Sequence, residues 1–400
     1  MDNHYDIVIV GGGLVGLSLA HALADLPLRL ALLESPPPES KTTSTFDARS
    51  LALSLSSQHI LEHLGLWSEL SNVTPIKQIH ISERGRFGST HLRAQEQGVD
   101  AFGCVVEIET LAKSLEKNLA RHPQITRIMA QVVSAENQTN SMALTLSTGE
   151  TIHADLVLAA DGAQSSFRTL FNIGVTKKDY QQMAVIANIG LRHSHGHQAF
   201  ERFTPRGPLA LLPLSDDRMA LVWTFPKHEA DFFLKCSEQE FLDELQSQFG
   251  TRLGRFKKLG VRQSFPLFLI KAQEQIRPRL VILGNAAHVL HPIAGQGFNL
   301  SLRDVATIAE VLRDALNCGE RIDSLSVLQR YLNLRKQDQR RILGFTRGLL
   351  GLFSMDVLPC SLMRSAGLGS LDALPAFKRA FAQMAMGLSG RVPDLACYYE

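Results

Sequence analysis

Three glycines, Gly11, Gly13 and Gly16, stand at G-x-G-x-x-G spacing in the stretch DIVIVGGGLVG from Asp6 to Gly16. Each has a chemical reason: Gly11 permits a tight turn, Gly13 lets a pyrophosphate approach the backbone, and Gly16 lets a helix pack closely on a strand. The helix that follows would offer unpaired N–H groups and a positive dipole end to phosphates. Glu34, eighteen residues past Gly16, sits where a carboxylate accepts a ribose hydroxyl. A second corner reads Asp161-Gly162-Ala163-Gln164-Ser165-Ser166-Phe167-Arg168. An acid at the carboxyl end of a buried strand faces the crevice where ligands of open α/β sheets bind. The bland alternatives are a turn or N-cap for Asp161 and a surface charge for Arg168. The third corner runs from Gly284, Asn285 and His288 through His291 and Pro292 to Gly295, Gln296, Gly297 and Asn299. Pro292 stiffens that loop, while Gly295 and Gly297 leave room for a ligand against backbone donors.

The elements that must position these residues follow from periodicity. Ile7–Val10, Leu28–Leu33, Ala154–Ala160 and Leu280–Leu283 are short apolar runs suited to strands buried on both faces. Leu51, Leu53, Leu55, Ile60, Leu61 and Leu64 predict a helix with Arg49 at its start. There Arg49 either serves an anion such as a pyrophosphate or is a solvated loop charge. Residues 76–100 alternate in the manner of strands and leave the nucleotide fold, and Val105–Leu119 returns to a helical period. Around 125–160 come short strands, with a hairpin turn at Ser147-Thr148-Gly149-Glu150. From about 180 to 270, alternating runs and turn pairs predict an antiparallel sheet. His193, His195 and His197 fall in a polar loop there, without a matching acid or cysteine, and are expected to be solvated rather than metal ligands.

Towards the end, Arg335, Lys336, Arg340, Arg341 and Arg347 precede apolar residues at helical spacing. A further stripe joins Phe377, Phe381, Met384, Ala385 and Leu388. Such stripes are core-facing helices or, beside a basic flank, suit an anionic membrane surface. The totals exclude other classes. Of 400 residues, 45% are hydrophobic and 20% charged, which fits a globular chain large enough for two or three units. A net charge of +2 gives no case for nucleic acid. Five scattered cysteines without a CxxC pair fit a reducing compartment and no structural metal. The apolar N-terminus lacks a basic leader, and no apolar run is long enough to span a bilayer. The expected location is the cytoplasm, with the inner face of the cytoplasmic membrane as a second option.

Taken together and in this order, the three glycine-bearing motifs resemble the single-component FAD-dependent aromatic hydroxylases of the para-hydroxybenzoate hydroxylase type. The likeness runs over essentially the whole chain. Phe46–Leu53, Ala199–Leu214 and His291–Leu300 are similar to the ubiquinone-biosynthesis branch of that family. The resemblance implies an α/β fold: a Rossmann-like FAD-binding domain of the GR2 type (1–75, 101–180 and 272–340) and an inserted antiparallel-sheet substrate domain (76–100 and 181–271). A C-terminal helical segment, 341–400, would touch a membrane or a partner protein of a ubiquinone-biosynthesis complex. It places FAD's ADP on the first motif, gives the Asp161 motif to both FAD and NAD(P)H, and the third motif to the ribityl chain and isoalloxazine. One departure is Asn285, where the family usually has Asp; an amide still accepts through its carbonyl oxygen.

The implied activity is hydroxylation of a polyprenylated phenol with NAD(P)H and O2 through a flavin C4a-hydroperoxide. Pro292 and His291 are the loop's candidates for a catalytic part, with a satisfied structural imidazole as the alternative for His291 and His288. No residue declares itself as the base. Halogenases on this scaffold show W-x-W-x-I-P, which Trp67 and Trp223 cannot form. A prenyl-lipid reductase that consumes no O2, or a non-catalytic flavin-binding subunit, stays open at this point.

Overall fold

The computed structural model describes residues 3–35, 45–86, 88–291, 295–354 and 375–397. Five strands form a parallel layer in the spatial order Leu280–Ile282, Thr151–Ala159, His4–Val10, Leu30–Glu34 and Ile125–Met129. The apolar runs pair here because each is buried on both faces. Ile7, Ile9 and Leu32 pack under the helices Leu14–Leu23 and Gln296–Asn317, and Val8, Ala31 and Val157 pack on the opposite side. Register then does the work of assembly. Val10 lies opposite both Leu33 and Ala159, and Ala159 lies opposite Ile282. Three strands distant in sequence therefore end level, and their following loops meet at one edge of the layer.

Among the described residues a second sheet of nine strands includes Val175–Leu191, Arg218–Pro226, Gly207–Leu214, Gln198–Thr204 and Gln78–Glu83. Gln198–Thr204 pairs parallel with Gln78–Glu83, so the early excursion joins the later sheet. One face of the sheet buries Val185, Leu209, Leu211 and Trp223 under the helices Lys227–Lys235 and Glu238–Phe249. The second of these helices starts at a Ser237–Glu240 capping box. The strand Val175–Leu191 spans residues 180 and 181, where its pairing with Gln263–Ala272 shifts register between Asp179 and Met183.

Two helix expectations are corrected. Leu51 and Leu53 belong to a strand, Ser50–Ser54, and the helix begins only at Leu55. Ser54 makes the break, its Oγ accepting from Ser57 N at 3.3 Å as an N-cap. Likewise Gly103–Glu107 is a strand paired with Ser50–Ser54, and its helix is Ile108–Leu119. In both places a two-residue alternation was absorbed into the helical period that follows it.

The C-terminal stripes also resolve. Arg335 is no surface cation: it is buried in the helix Leu325–Ser354 between Asp304 and Asp338, at 2.7 Å from each. Burial would raise the Asp304 carboxyl, but Arg335 and His288 outweigh it and hold the group below the usual carboxylate range. In the helix Pro375–Ala385, Ala382 packs with Leu92, Phe102 and Met386 of the core. Its apolar side is thus used inward, and Lys378 pairs with Glu96. The side chains of Arg347, Leu349, Leu352, Phe353 and Phe377 lie outside the described residues.

Candidate active site

Where the three strands end level, one cavity of about 740 Å³ opens, within the size range of cofactor sites, roughly 300–1,000 Å³. Gly13, Gly162, Asn285, Gly295, Gln296, Gly297 and Asn299 all line it. The first glycine turn is built by close contact. A Cβ on Gly11 would fall 2.6 Å from the Ala160 carbonyl oxygen, and one on Gly16 would fall 1.7 Å from that of Gly11. A Cβ on Gly13, Gly162 or Gly297 would meet no protein atom within 4 Å. These three face open space.

Two helices, Leu14–Leu23 and Gln296–Asn317, begin at this cavity from Gly13 and Gly295, and neither start carries a side-chain cap. Their first N–H groups and positive dipole ends are left for a ligand. Asp161 turns Oδ2 to Ser166 Oγ at 3.0 Å and to Phe167 N at 3.1 Å, while its buried Oδ1 has no partner. Asp161 is not itself among the residues that line the cavity, although its neighbours Ala160 and Gly162 are; a buried acceptor without a donor is costly, and a ligand hydroxyl that reached it would satisfy it. Open glycines, uncapped helix starts and the orphaned oxygen together fit a polar, extended dinucleotide.

The other expected site residues hold the frame. Arg168 is buried and donates to the Ala286 carbonyl at 2.8 Å and to that of Ala163, clamping the second corner to the third. Asn299 spends both of its amide protons on the frame. Its Nδ2 donates to Ala52 O at 2.9 Å and Gly295 O at 2.7 Å, and its Oδ1 accepts from Ser54 N at 2.8 Å. Glu34 lies against Gly12 and receives both nitrogens of a bidentate Arg127, at 2.6 and 2.9 Å. Glu34 is buried and is not among the residues that line the cavity. Arg49 is exposed, immediately before the cavity residue Ser50.

His291 is buried beside Tyr180, with ring centroids 5.4 Å apart, and does not line the cavity; burial pulls its pKa down to about 4. His288 gives Nε2 to Asp304 at 2.7 Å. Pro292 lies outside the described residues. The histidine loop is corrected in part: His193 is exposed as expected, but His195 is buried with Nε2 2.8 Å from Leu214 O.

Beyond the glycine corners the cavity turns apolar. Its wall is the free face of the second sheet, with Ile79, Ile81, Ala199, Ala210, Leu212 and Val222. Phe345 and Phe381 close it from the C-terminal helices, ring centroids 5.5 Å apart. Sequence reading missed Glu201 in this wall. The available signal was a lone acid in register with cavity-facing Ala199 and Phe203 on a strand of period two.

The parallel layer, its glycine corners and the adjoining apolar chamber define a dinucleotide-binding α/β protein with a substrate room built onto the cofactor crevice. The chain belongs to the FAD binding domain family, whose profile matches residues 4–345. It is 35% identical over 388 residues to the ubiquinone hydroxylase UbiL of Rhodospirillum rubrum, covering 96% of this chain and 90% of that one. It is 32% identical to the 3-demethoxyubiquinol 3-hydroxylase of Escherichia coli K12, covering 96% and 98%. The fold is similar to that of p-nitrophenol 4-monooxygenase PnpA from Pseudomonas putida DLL-E4, with a TM-score of 0.78 at 18% identity over 98% of this chain and 100% of that one.

Proposed function

We propose that this protein is an FAD- and NAD(P)H-dependent monooxygenase that hydroxylates the aromatic ring of a polyprenylated phenol in ubiquinone biosynthesis, an enzyme of the 2-polyprenyl-6-methoxyphenol hydroxylase kind. The observation that carries this reading is continuity: one cavity joins the three glycine corners to an apolar chamber. Hydroxylases of ubiquinone biosynthesis among its relatives support the choice of substrate and of O2 as oxidant.

Bound FAD would supply the redox chemistry, taking a hydride from NAD(P)H and delivering an oxygen electrophile. The protein's share is binding, orientation and dryness. Gly11, Gly13 and Gly16 with the helix start at Leu14 would take the pyrophosphate, and Glu34 the ribose. Asp161 Oδ1 and the Asn285 amide would take hydroxyls along the chain between the two ends. Backbone N–H groups at Gly295–Gly297 would meet the ring system, and Arg49 would lie near the phosphates. Residues 1–75, 101–180 and 272–340 would form the cofactor unit, and 76–100 with 181–271 the substrate wall. Phe345 and Phe381 would exclude water from the reacting atoms.

Among the described residues no helix is long and apolar enough to cross a membrane. A polyprenyl tail would leave the chamber by its C-terminal side, so peripheral contact of residues 341–400 with the membrane or a partner complex belongs to this proposal. Vesicle flotation tests it: loss of lipid association on deleting 375–400 is expected, and failure of the intact chain to float would discard it. For the activity, purified protein should be yellow and should show O2 uptake and NAD(P)H oxidation stimulated by a prenylated phenol. A deletion strain should accumulate the corresponding deoxy or demethoxy quinone precursor. A colourless protein that takes up no FAD, or turnover without O2 uptake, would refute the reading.

A further inference from the structure

Glu201 is the one ionisable side chain, among the described residues, that lines the cavity. It lies on the strand Gln198–Thr204, opposite Ile81 on one neighbouring strand and Ala210 on the other, with Val222 next across the sheet. All three line the same cavity. No described group bonds to it, and burial alone pushes its carboxyl up to about 7. It is half-buried in the cavity wall.

A carboxyl placed in an apolar wall without a partner costs stability, and nothing in the packing repays it. The neighbours do not bring a counter-charge. Arg202, next in the strand, points to the opposite face, where it donates to Gln248 O at 2.8 Å and Ser82 Oγ at 3.1 Å. Glu83 and Arg218 share the cavity-side register of their strands, but neither lines the cavity, and Arg218 is paired with Glu107 at 2.9 Å. On the elements that close the chamber, the lining side chains Phe298, Phe345 and Phe381 do not titrate. The two histidines of the third corner are committed elsewhere, His288 to Asp304 and His291 to its buried site beside Tyr180.

Resting on the reading that this chamber receives a phenol, we propose that Glu201 is the catalytic base that accepts the substrate's hydroxyl proton. The phenol O–H bond breaks, its proton passes to a Glu201 carboxylate oxygen, and the electron pair stays on the phenol oxygen and spreads into the ring. The enriched ring carbon forms the new C–O bond with one oxygen atom while the O–O bond of the dioxygen, already reduced by the two electrons of NAD(P)H, breaks and its other atom leaves as water. As the C–H proton at that carbon departs and aromaticity returns, Glu201 gives its proton back to the phenol oxygen. Over a cycle, ring C–H, O2, NAD(P)H and one proton become ring C–OH, NAD(P)+ and water. Glu201 ends as it began. A carboxylate whose pKa lies near the working pH is suited to this task, because enough of it is ionised while it remains a strong acceptor.

The experiment measures product formation by the full-length, FAD-loaded enzyme with a short-tailed prenylated phenol between pH 5.5 and 9. In the wild type, kcat should rise with pH to a plateau with a midpoint near 7. Glu201→Gln should bind FAD normally, lower kcat by about 100-fold or more with KM changed less than about threefold, and lose the ascending limb. Glu201→Asp should recover part of kcat together with the limb. The proposal is overturned if the wild-type profile has no ascending limb, or if Glu201→Gln keeps both rate and midpoint. A wild type without phenol-stimulated O2 uptake at any pH would instead remove the functional reading beneath it.

Discussion

At the scale of single residues, two glycines three positions apart have opposite duties. Gly16 is required by the protein itself, because any Cβ there overlaps the Gly11 carbonyl oxygen at 1.7 Å. Gly13 is required only by what rests on it, since a Cβ there meets open space. Gly16→Ala should therefore lower the melting temperature of FAD-stripped and FAD-loaded protein alike. Gly13→Ala should leave the stripped protein's melting unchanged and weaken FAD affinity by about tenfold or more, read by flavin fluorescence titration. Glu201 gives a second test at this scale. Its carboxyl titrates at 4.5 when unperturbed and near 7 in the fold, so the stability it contributes is complete below 4.5 and lost as pH rises through 7. Glu201→Gln should thus stabilise the protein at pH 8, by at most about 3 kcal/mol because chamber water softens the penalty, and not at pH 4. Denaturant titrations at the two pH values check this.

At the scale of elements, the long helix Gln296–Asn317 does two things at once. Its uncapped start faces the cavity, and its third turn anchors it to the helix Leu325–Ser354 through Asp304. Asp304 is fully buried between Arg335 and His288, and Arg335 also meets Asp338, which holds Arg303 at 2.8 Å. Removing one member leaves an uncompensated buried charge. Asp304→Asn should cost about 3–5 kcal/mol in denaturant unfolding. The same network explains why the basic run near Arg335 could be mistaken for a surface flank. Lys336 and Arg340 are exposed, whereas Arg335 faces Asp304 of another helix and Asp338 one turn along its own.

At the scale of the whole molecule, the chamber exists only because two sheets and the C-terminal helices close on one crevice. Phe345 and Phe381 come from elements beyond the second sheet and meet edge to face over the cavity. Shrinking that closure should admit water to the reacting centre. Phe381→Ala should keep FAD bound yet divert a larger share of NAD(P)H oxidation to H2O2 instead of hydroxylated product, measured by peroxide assay against product yield.

What the sequence determined alone was local: the turn glycines, the apolar strands of the parallel layer, the helix that opens behind Gly13 and the order of the three corners. Those features are set by backbone sterics and by periods of two or 3.6 residues, which a linear string displays. The strands at Ser50 and Gly103 were obscured because their short alternations ran into helices of the same apolar composition. Only the tertiary structure decided which residues meet. Val10, Ala159 and Ile282 stand level through hydrogen-bond register, and that register brings Gly13, Gly162 and Asn285 to one cavity. It also gave Arg168 and Asn299 to the frame, Arg335 to the core and Glu201 to an apolar wall. A side chain's burial, partners and proton affinity come from neighbours that pairing and packing supply, and one-dimensional spacing carries no record of them.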